Sequence, residues 1–270
     1  MITMNRLIAG LRRRLRRALD YRVVRWYQLA RYQQAWYLRR LFRWQEVDLV
    51  IDVGGNSGQF AEFIRKRVGY KGLMITFEPI PWLAAELQRR TASDPNWIVV
   101  NKALGANPGQ AQFNVMNTSP MSSLLQPKRD SQSSMKQFNQ VEQRVEVEIA
   151  TLDTCLNDNP RTRECRNIYL KLDVQGYELE VLKGTQLAMS RICALQSELN
   201  VIPLYENQPG YMEVLRFLDT AGYVLSSIPA HDYEHFPEMI DFDCHFVRRD
   251  RLTKALTAPP SGSSAPVGGA

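Results

Sequence analysis

Residues 52–58 read Asp-Val-Gly-Gly-Asn-Ser-Gly and follow directly on the largely apolar run 47–51. A strand that runs into a glycine cluster is a nucleotide-binding arrangement, because glycine reaches backbone angles closed to other residues and lets a ligand approach the main chain. The standard fingerprints make different demands. A phosphate-binding loop needs a Lys-Ser/Thr pair after its second glycine, and none follows Gly54 and Gly55. The dinucleotide fingerprint GxGxxG needs a glycine where Asn56 stands. What remains is D-x-G-x-N-x-G, made of Asp52, Gly54, Asn56 and Gly58. A carboxylate just before the turn repels a pyrophosphate but suits a cationic or amino-bearing ligand. S-adenosylmethionine carries an ammonium, a sulfonium and no phosphate, so its methionyl end fits the charge of Asp52 and the room left by the glycines.

A second acidic residue, Glu78, lies 20 residues past Gly58, at the end of the apolar run 73–77. An acidic side chain at the carboxyl end of the second strand of an open α/β sheet is the usual acceptor for ribose hydroxyls. Pro79 biases Glu78 away from helical geometry and keeps the chain extended there. Together the two features point to a nucleoside ligand.

The elements needed to position these residues can be read from periodicity. Strand-like runs at 47–52, 73–77, 97–100, 168–172 and 192–199 alternate with helical patterns at 59–68, 82–91 and 177–190. Such alternation means βαβ crossovers and a largely parallel sheet with helices on both faces. Residues 105–150 break the rhythm. Strand-like runs at 110–116 and 145–149 flank a polar stretch, 119–143, which reads as an insertion or lid. A helix at 211–220 and strands at 223–228 and 242–248 close the pattern, the last pair as an antiparallel edge. The division is an arm at 1–46, a catalytic domain at 47–250 and a tail at 251–270, whose segment TAPPSGSSAPVGGA lacks the apolar content to pack.

The motifs DVGGNSG (52–58), ITFEPIP (75–81), NKALG (101–105), SSLL (122–125), TLDTCL (151–156) and YLKLDVQGYELEVLKG (169–184) occur in this order. Together they resemble the FkbM-type S-adenosylmethionine-dependent methyltransferases over roughly residues 47 to 225. The resemblance implies a class I methyltransferase, Rossmann-like fold, with a seven-stranded sheet whose last strand is antiparallel. It also implies mainly O-methylation, of sugars in glycans and glycolipids or of natural-product scaffolds. By the same resemblance Asp52, Gly54, Asn56 and Gly58 line the methionine end of the cofactor, Glu78 holds the ribose and Asn101 sits near the adenine. Family members often carry Glu where this chain has Gln175, so no proton-transfer role falls to that position.

Methylation of a hydroxyl benefits from a base near the acceptor. Asp173 is the candidate, since it ends the fourth strand, where the crevice of an open sheet lies. Burial beside Leu170 and Leu172 is expected to make it more basic. Lys171 shares its strand face, as an ion-pair partner or as a group that orients the acceptor; the pair reads equally as an architectural ion pair. Glu178 and Glu198 are further candidates, Glu178 also as a helix cap.

Charge is unevenly spread. Residues 1–46 hold twelve Arg against one Asp and one Glu, a net charge of +10, so the remainder carries −4 of the chain's +6. Leu7, Leu11, Leu15 and Leu19 recur every four residues among arginines, and Trp26, Tyr27, Trp36 and Trp44 follow among more. This basic amphipathic pattern fits an anionic membrane surface, docking on the protein's own body or, less well, nucleic acid. No apolar run is long enough to cross a membrane and the amino terminus lacks the features of a secretory signal, so the chain is expected in the cytoplasm, with the inner membrane face open to its arm. Cys155, Cys165, Cys193 and Cys244 lack zinc-ligand spacing, and His231 and His235 lie in an acidic loop, so no metal is expected. The expected activity is therefore methyl transfer from S-adenosylmethionine to a glycan, a glycolipid or another small molecule. The rivals are a soluble natural product or an N-acceptor, and a nucleic-acid-binding or scaffold protein with a methyltransferase-like body.

Overall fold

The computed structural model describes residues 29–128, 140–229 and 237–252. The leucine repeat at 7–19, His231 and His235, most of the polar stretch within the insertion and the segment 257–270 lie outside the described residues.

Seven strands form the central sheet: β1 (Leu49–Val53), β2 (Leu73–Phe77), β3 (Trp97–Val100), β7 (Ile168–Leu172), β8 (Ile192–Asn200), β9 (Tyr223–Ser227) and β10 (Asp241–Arg248), in the order β3-β2-β1-β7-β8-β10-β9. Every pair from β3 to β8 is parallel, and β10 is antiparallel to both its neighbours. This is the class I methyltransferase arrangement. The antiparallel strand is not the edge: β10 inserts between β8 and β9, and β9 takes the outside position. The strands β1, β2 and β7 are buried along their whole length, as parallel strands covered on both faces must be.

The insertion builds its own three-stranded sheet, β4 (Ala103–Leu104), β5 (Gly109–Met116) and β6 (Val141–Ala150), in the order β4-β6-β5. Ala103, Phe113, Val115 and Val147 of this sheet pack with Ile80, which seats it against the carboxyl end of β2. A helix that periodicity did not reveal, α4 (Leu152–Asp158), follows at once; Thr151 caps it, its Oγ1 accepting from the Thr154 amide at 3.1 Å. The expected helix at 177–190 is shorter, α5 (Glu178–Lys183). It stops at Gly184, where a Cβ would lie 2.1 Å from the Gly105 carbonyl oxygen, so the entry to the insertion passes against the helix end.

Residues 29–44 of the arm form a helix, α1 (Leu29–Trp44). Its Ala35, Leu38, Leu41 and Phe42 are buried in one cluster with Val50, Met74, Tyr169 and Ala194 from the sheet and with Ala61 and Ile64 from the helix after β1. That helix begins as α2 (Gln59–Phe63) and widens into a π-helical turn at Ile64–Val68. The Arg39 guanidinium donates to the backbone carbonyls of Val68 and Arg67 at its end. Among the described residues, no helix is long and apolar enough to cross a membrane. Leu38 is fully buried, so Leu38→Ala should lower unfolding free energy by about 2–5 kcal/mol. Urea denaturation checks this; a change below about 0.5 kcal/mol would mean that α1 is not part of the domain core.

Candidate active site

The sheet opens at the carboxyl ends of its parallel strands, and a cavity of about 330 Å3 lies there. The strand ends around it, the turn after β1, the insertion and residues of α1 and α2 wall it. Gly54, Gly55, Asn56, Glu78, Lys171 and Asp173 line it. Asp52, Gly58 and Asn101 stand behind the wall.

The glycine turn takes its shape from crowding. Gly54 has φ +81, and a Cβ there would sit 1.8 Å from the backbone oxygen of Asp173; one on Gly55 would sit 2.1 Å from the Thr76 Cγ2. Both amides donate to the Phe77 carbonyl, at 3.1 and 3.0 Å. The chain therefore crosses between the ends of β2 and β7 at a separation that only glycine permits. Asn56, at φ +44, donates its amide to the Glu78 Oε2 at 2.6 Å. The other carboxylate oxygen of Glu78 accepts from the Ile80 amide at 2.8 Å. Burial raises the Glu78 pKa to about 7, against the pull of these two amides. Asn101 braces the same corner from outside, its Nδ2 donating to the carbonyls of Glu78 and Pro79, both at 2.9 Å.

Asp52 pairs in register with Thr76 on one side and Lys171 on the other, so all three side chains share a sheet face. Asp52 is fully buried, 3.4 Å from the Lys171 ammonium, and its Oδ1 has no hydrogen-bond partner. Its charge reaches the cavity through Lys171. That ammonium lies 3.0 Å from Asp173 Oδ2 and 5.4 Å from the centroid of the Phe60 ring. Burial works against its charge, but Asp173 and Asp52 outweigh burial and hold the Lys171 pKa above its ordinary value. Burial raises Asp52 in turn, with Lys171 opposing.

Asp173 is not buried as expected: its side chain is 35% exposed. It is the last residue before the turn that carries Gln175 and Gly176, at φ +53 and +92, and this turn lifts it off the sheet into the cavity. Gln175 donates from Nε2 to Asp173 Oδ1 at 3.2 Å and to Glu198 Oε2 at 2.5 Å. Its Oε1 accepts from the Tyr205 hydroxyl at 3.2 Å, and its backbone carbonyl from the Ser123 hydroxyl at 2.8 Å. Glu198 and Asp243 complete this wall. Burial, reinforced by the charges of Asp173, Asp241 and Asp243, pushes Glu198 well above the usual carboxylate range. Asp243 is raised by burial and held by the Gln196 amide at 2.9 Å. Glu178 points away from the cavity, its Oε1 accepting from the amides of Val174 and Gly176 at 3.1 and 3.2 Å. Among the described residues, no group of three or more His, Cys, Asp and Glu is arranged to hold a metal.

The model of the FkbM methyltransferase domain matches residues 52–225, from the glycine turn to β9. The chain belongs to the FkbM methyltransferase family. This FkbM methyltransferase is similar to a methyltransferase FkbM from Methylobacillus flagellatus KT, with 15% identity, a TM-score of 0.46 and coverage of 74% of this chain and 43% of that one. It thus spans less than half the length of that relative. The magnesium protoporphyrin IX methyltransferase of Synechocystis PCC 6803, with bound S-adenosylmethionine, shares 11% identity at a TM-score of 0.42, covering 87% and 89% of the two chains. Fibrillarin from Aeropyrum pernix, with natively bound S-adenosylmethionine, shares 11% identity at 0.41, covering 74% and 66%. No curated protein matches the sequence. The chain carries an FkbM methyltransferase domain, and its glycine turn, without room for a Cβ, suits a ligand that approaches the backbone closely.

Residues missed from sequence are Gln175 as a bridge between carboxylates, Gln196, Asp243 and the α1 residues Arg31 and Gln34, which also line the cavity. Gln175 lies within the motif 169–184, but its partner Glu198 and the other four residues come from segments distant in sequence. Glu178 yields a prediction. Burial raises its pKa from 4.5 to about 7, so between these values the folded chain holds a proton that the unfolded chain has released. Its contribution is full below about pH 4.5 and is lost as pH rises through 7. Glu178→Gln keeps an oxygen acceptor for both amides. Relative to wild type it should gain about 1–3 kcal/mol at pH 8 and little below pH 5, as read by chemical denaturation across that range. A pH-independent difference would refute the assignment.

Proposed function

We propose that the enzyme methylates a hydroxyl of a sugar, in a glycan or a glycolipid. The observation that carries this reading is the contact between the glycine turn and Asp173. Gly54 leaves no room for a Cβ beside the Asp173 backbone, while the Asp173 carboxylate opens on the cavity. S-adenosylmethionine, when bound, supplies an electrophilic methyl carbon. Gly54, Gly55 and Asn56 would hold its methionyl side and Glu78 its ribose, with Asn101 bracing the Glu78 corner. Gly58 starts α2 at φ +84 and ends the turn, and Asp52 acts through Lys171.

Asp173 is the base: it takes the proton of the acceptor hydroxyl, leaving the oxygen as the nucleophile. Lys171 and Gln175 each hold one oxygen of that carboxylate, fixing its direction. Asp173, Glu198 and Asp243 present hydrogen-bond acceptors on one wall, which suits a ligand rich in hydroxyl donors. Transfer of labelled methyl to a fractionated glycan and lipid extract tests the acceptor class. Asp173→Asn should lower kcat by about 10²–10⁴ and leave S-adenosylmethionine affinity within a few-fold; an undiminished kcat would remove Asp173 from the mechanism.

The acceptor is proposed to be presented at an anionic membrane face. The leucine and arginine pattern of residues 7–19 supports this, as do Trp36, 58% exposed, and the Arg40 guanidinium 4.7 Å from the centroid of its ring. Residues 29–44 belong to the core, so the test removes residues 1–28 only. Full-length protein should float with vesicles containing anionic lipid and the shortened chain should not; equal flotation would sink the membrane reading.

A further inference from the structure

Among the described residues, three cationic side chains line the cavity: Arg31, Lys102 and Lys171. Two are engaged. Lys171 lies between Asp173 and Asp52, and the Lys102 ammonium is 2.6 Å from Glu148 Oε1 on the Glu78 side. Arg31 differs. Among the described residues it has no carboxylate at ion-pair distance, and its guanidinium stands 5.9 Å from the centroid of the Phe63 ring. Gln34, one turn further along α1 and half-buried, lines the cavity beside it.

Its side of the cavity is defined by continuity. From the glycine turn the wall runs through Gln59, Phe60 and Phe63 of α2 to Arg31. Phe60 and Phe63 are one turn apart on that helix and share a face. Lys171 is over the first ring and Arg31 over the second. The opposite side holds Glu78, Ile80 and Lys102. In the cofactor reading proposed above, Glu78 marks the nucleoside end of the site and the wall that leads to Arg31 its amino-acid end. An amino-acid moiety carries a carboxylate, and the glycine turn has no side-chain cation to meet it. A guanidinium offers a planar pair of donors that matches a carboxylate, and an aromatic face holds its plane without consuming a donor. The position of Arg31 is set by the buried stripe Ala35, Leu38 and Phe42, which locks α1 onto the sheet.

We propose that Arg31, assisted by Gln34, binds the carboxylate of the methionyl group of S-adenosylmethionine, so that the arm helix completes the cofactor site. The proposal rests on the cofactor reading above and adds to it a residue outside the segment 52–225 that the family model matches. It makes the arm part of the enzyme's binding machinery, whatever surface residues 1–28 meet.

Calorimetry on the full chain separates the possibilities with three probes: S-adenosylhomocysteine, its decarboxylated analogue, which keeps the amine, and 5′-methylthioadenosine, which has neither group. Arg31→Met should weaken S-adenosylhomocysteine binding by about 10- to 100-fold, the range for a hydrogen bond to a charged group. It should leave the other two within about twofold, and Arg31→Lys should recover part of the loss. Arg31 is exposed, so the variant folds, which circular dichroism verifies. An equal loss for all three probes would mean a structural role and overturn the proposal. Unchanged S-adenosylhomocysteine affinity would overturn it too, and if the KM for acceptor alone then rose, Arg31 would serve an anionic group on the acceptor. Failure of the wild-type chain to bind S-adenosylhomocysteine at all would instead overturn the cofactor reading and this inference with it.

Discussion

An ammonium group with only 5% of its residue exposed sits in the middle of the sheet, and the site is organised around keeping it there. Desolvating Lys171 costs several kcal/mol. The charge persists because Asp52 and Asp173 bracket it and the ring of Phe60 lies over it. Each partner fixes something else. Asp52 ties β1 to β7 in register, and Thr76 hydrogen-bonds to it at 3.4 Å from β2. Asp173 is drawn to the strand end and held where its carboxylate meets the cavity. Removing either carboxylate leaves Lys171 undercompensated, so the ion pair that ties the strands together also shapes the cavity wall.

A row of polar residues extends this constraint across the sheet. Lys171 is in register with Gln196, and Gln196 with His245. The Tyr169 hydroxyl bridges the last two, 3.2 Å from Gln196 Oε1 and 3.0 Å from His245 Nδ1. Burial lowers the His245 pKa to about 3, so this ring is neutral in the fold. Such a row must be shielded from water on the open side of the sheet. The helices α1 and α2 do this; Tyr37 of α1 packs its ring 4.9 Å from that of His245. The same packing that covers Tyr169 and His245 places the first turn of α1 at the cavity rim.

The positions of the parallel strands, the glycine turn and the acidic residue at the end of β2 were legible in the sequence because each is a local pattern. Buried parallel strands must be apolar throughout, and a turn squeezed between two strand ends must be glycine. The misreadings have equally physical causes. Asp173 was expected to be buried because its neighbours Leu170 and Leu172 are apolar, but the left-handed residues Gln175 and Gly176 turn the chain outward just beyond it. The helix from 177 looked continuous to 190, because nothing in a helical pattern announces that the backbone of Gly105 abuts Gly184. Helix α4 was missed because its seven residues are too few for periodicity, although its Thr151 cap was in view.

By itself, the sequence determined that the protein belongs to this family and where its glycine turn lies, since both follow from residue types at fixed short spacings. Only the tertiary structure decided which charges meet. Lys171 could have been read with Asp173 alone, but its second partner, Asp52, is 119 residues earlier and arrives through the β1–β7 register. Gln175 joins Asp173 to Glu198 across 23 residues. Arg31 enters the cavity because the apolar stripe of Ala35, Leu38, Leu41 and Phe42 docks its helix on the sheet. Strand pairing and helix docking act between distant segments, and a linear pattern carries no record of which distant side chains they will bring within a few ångströms.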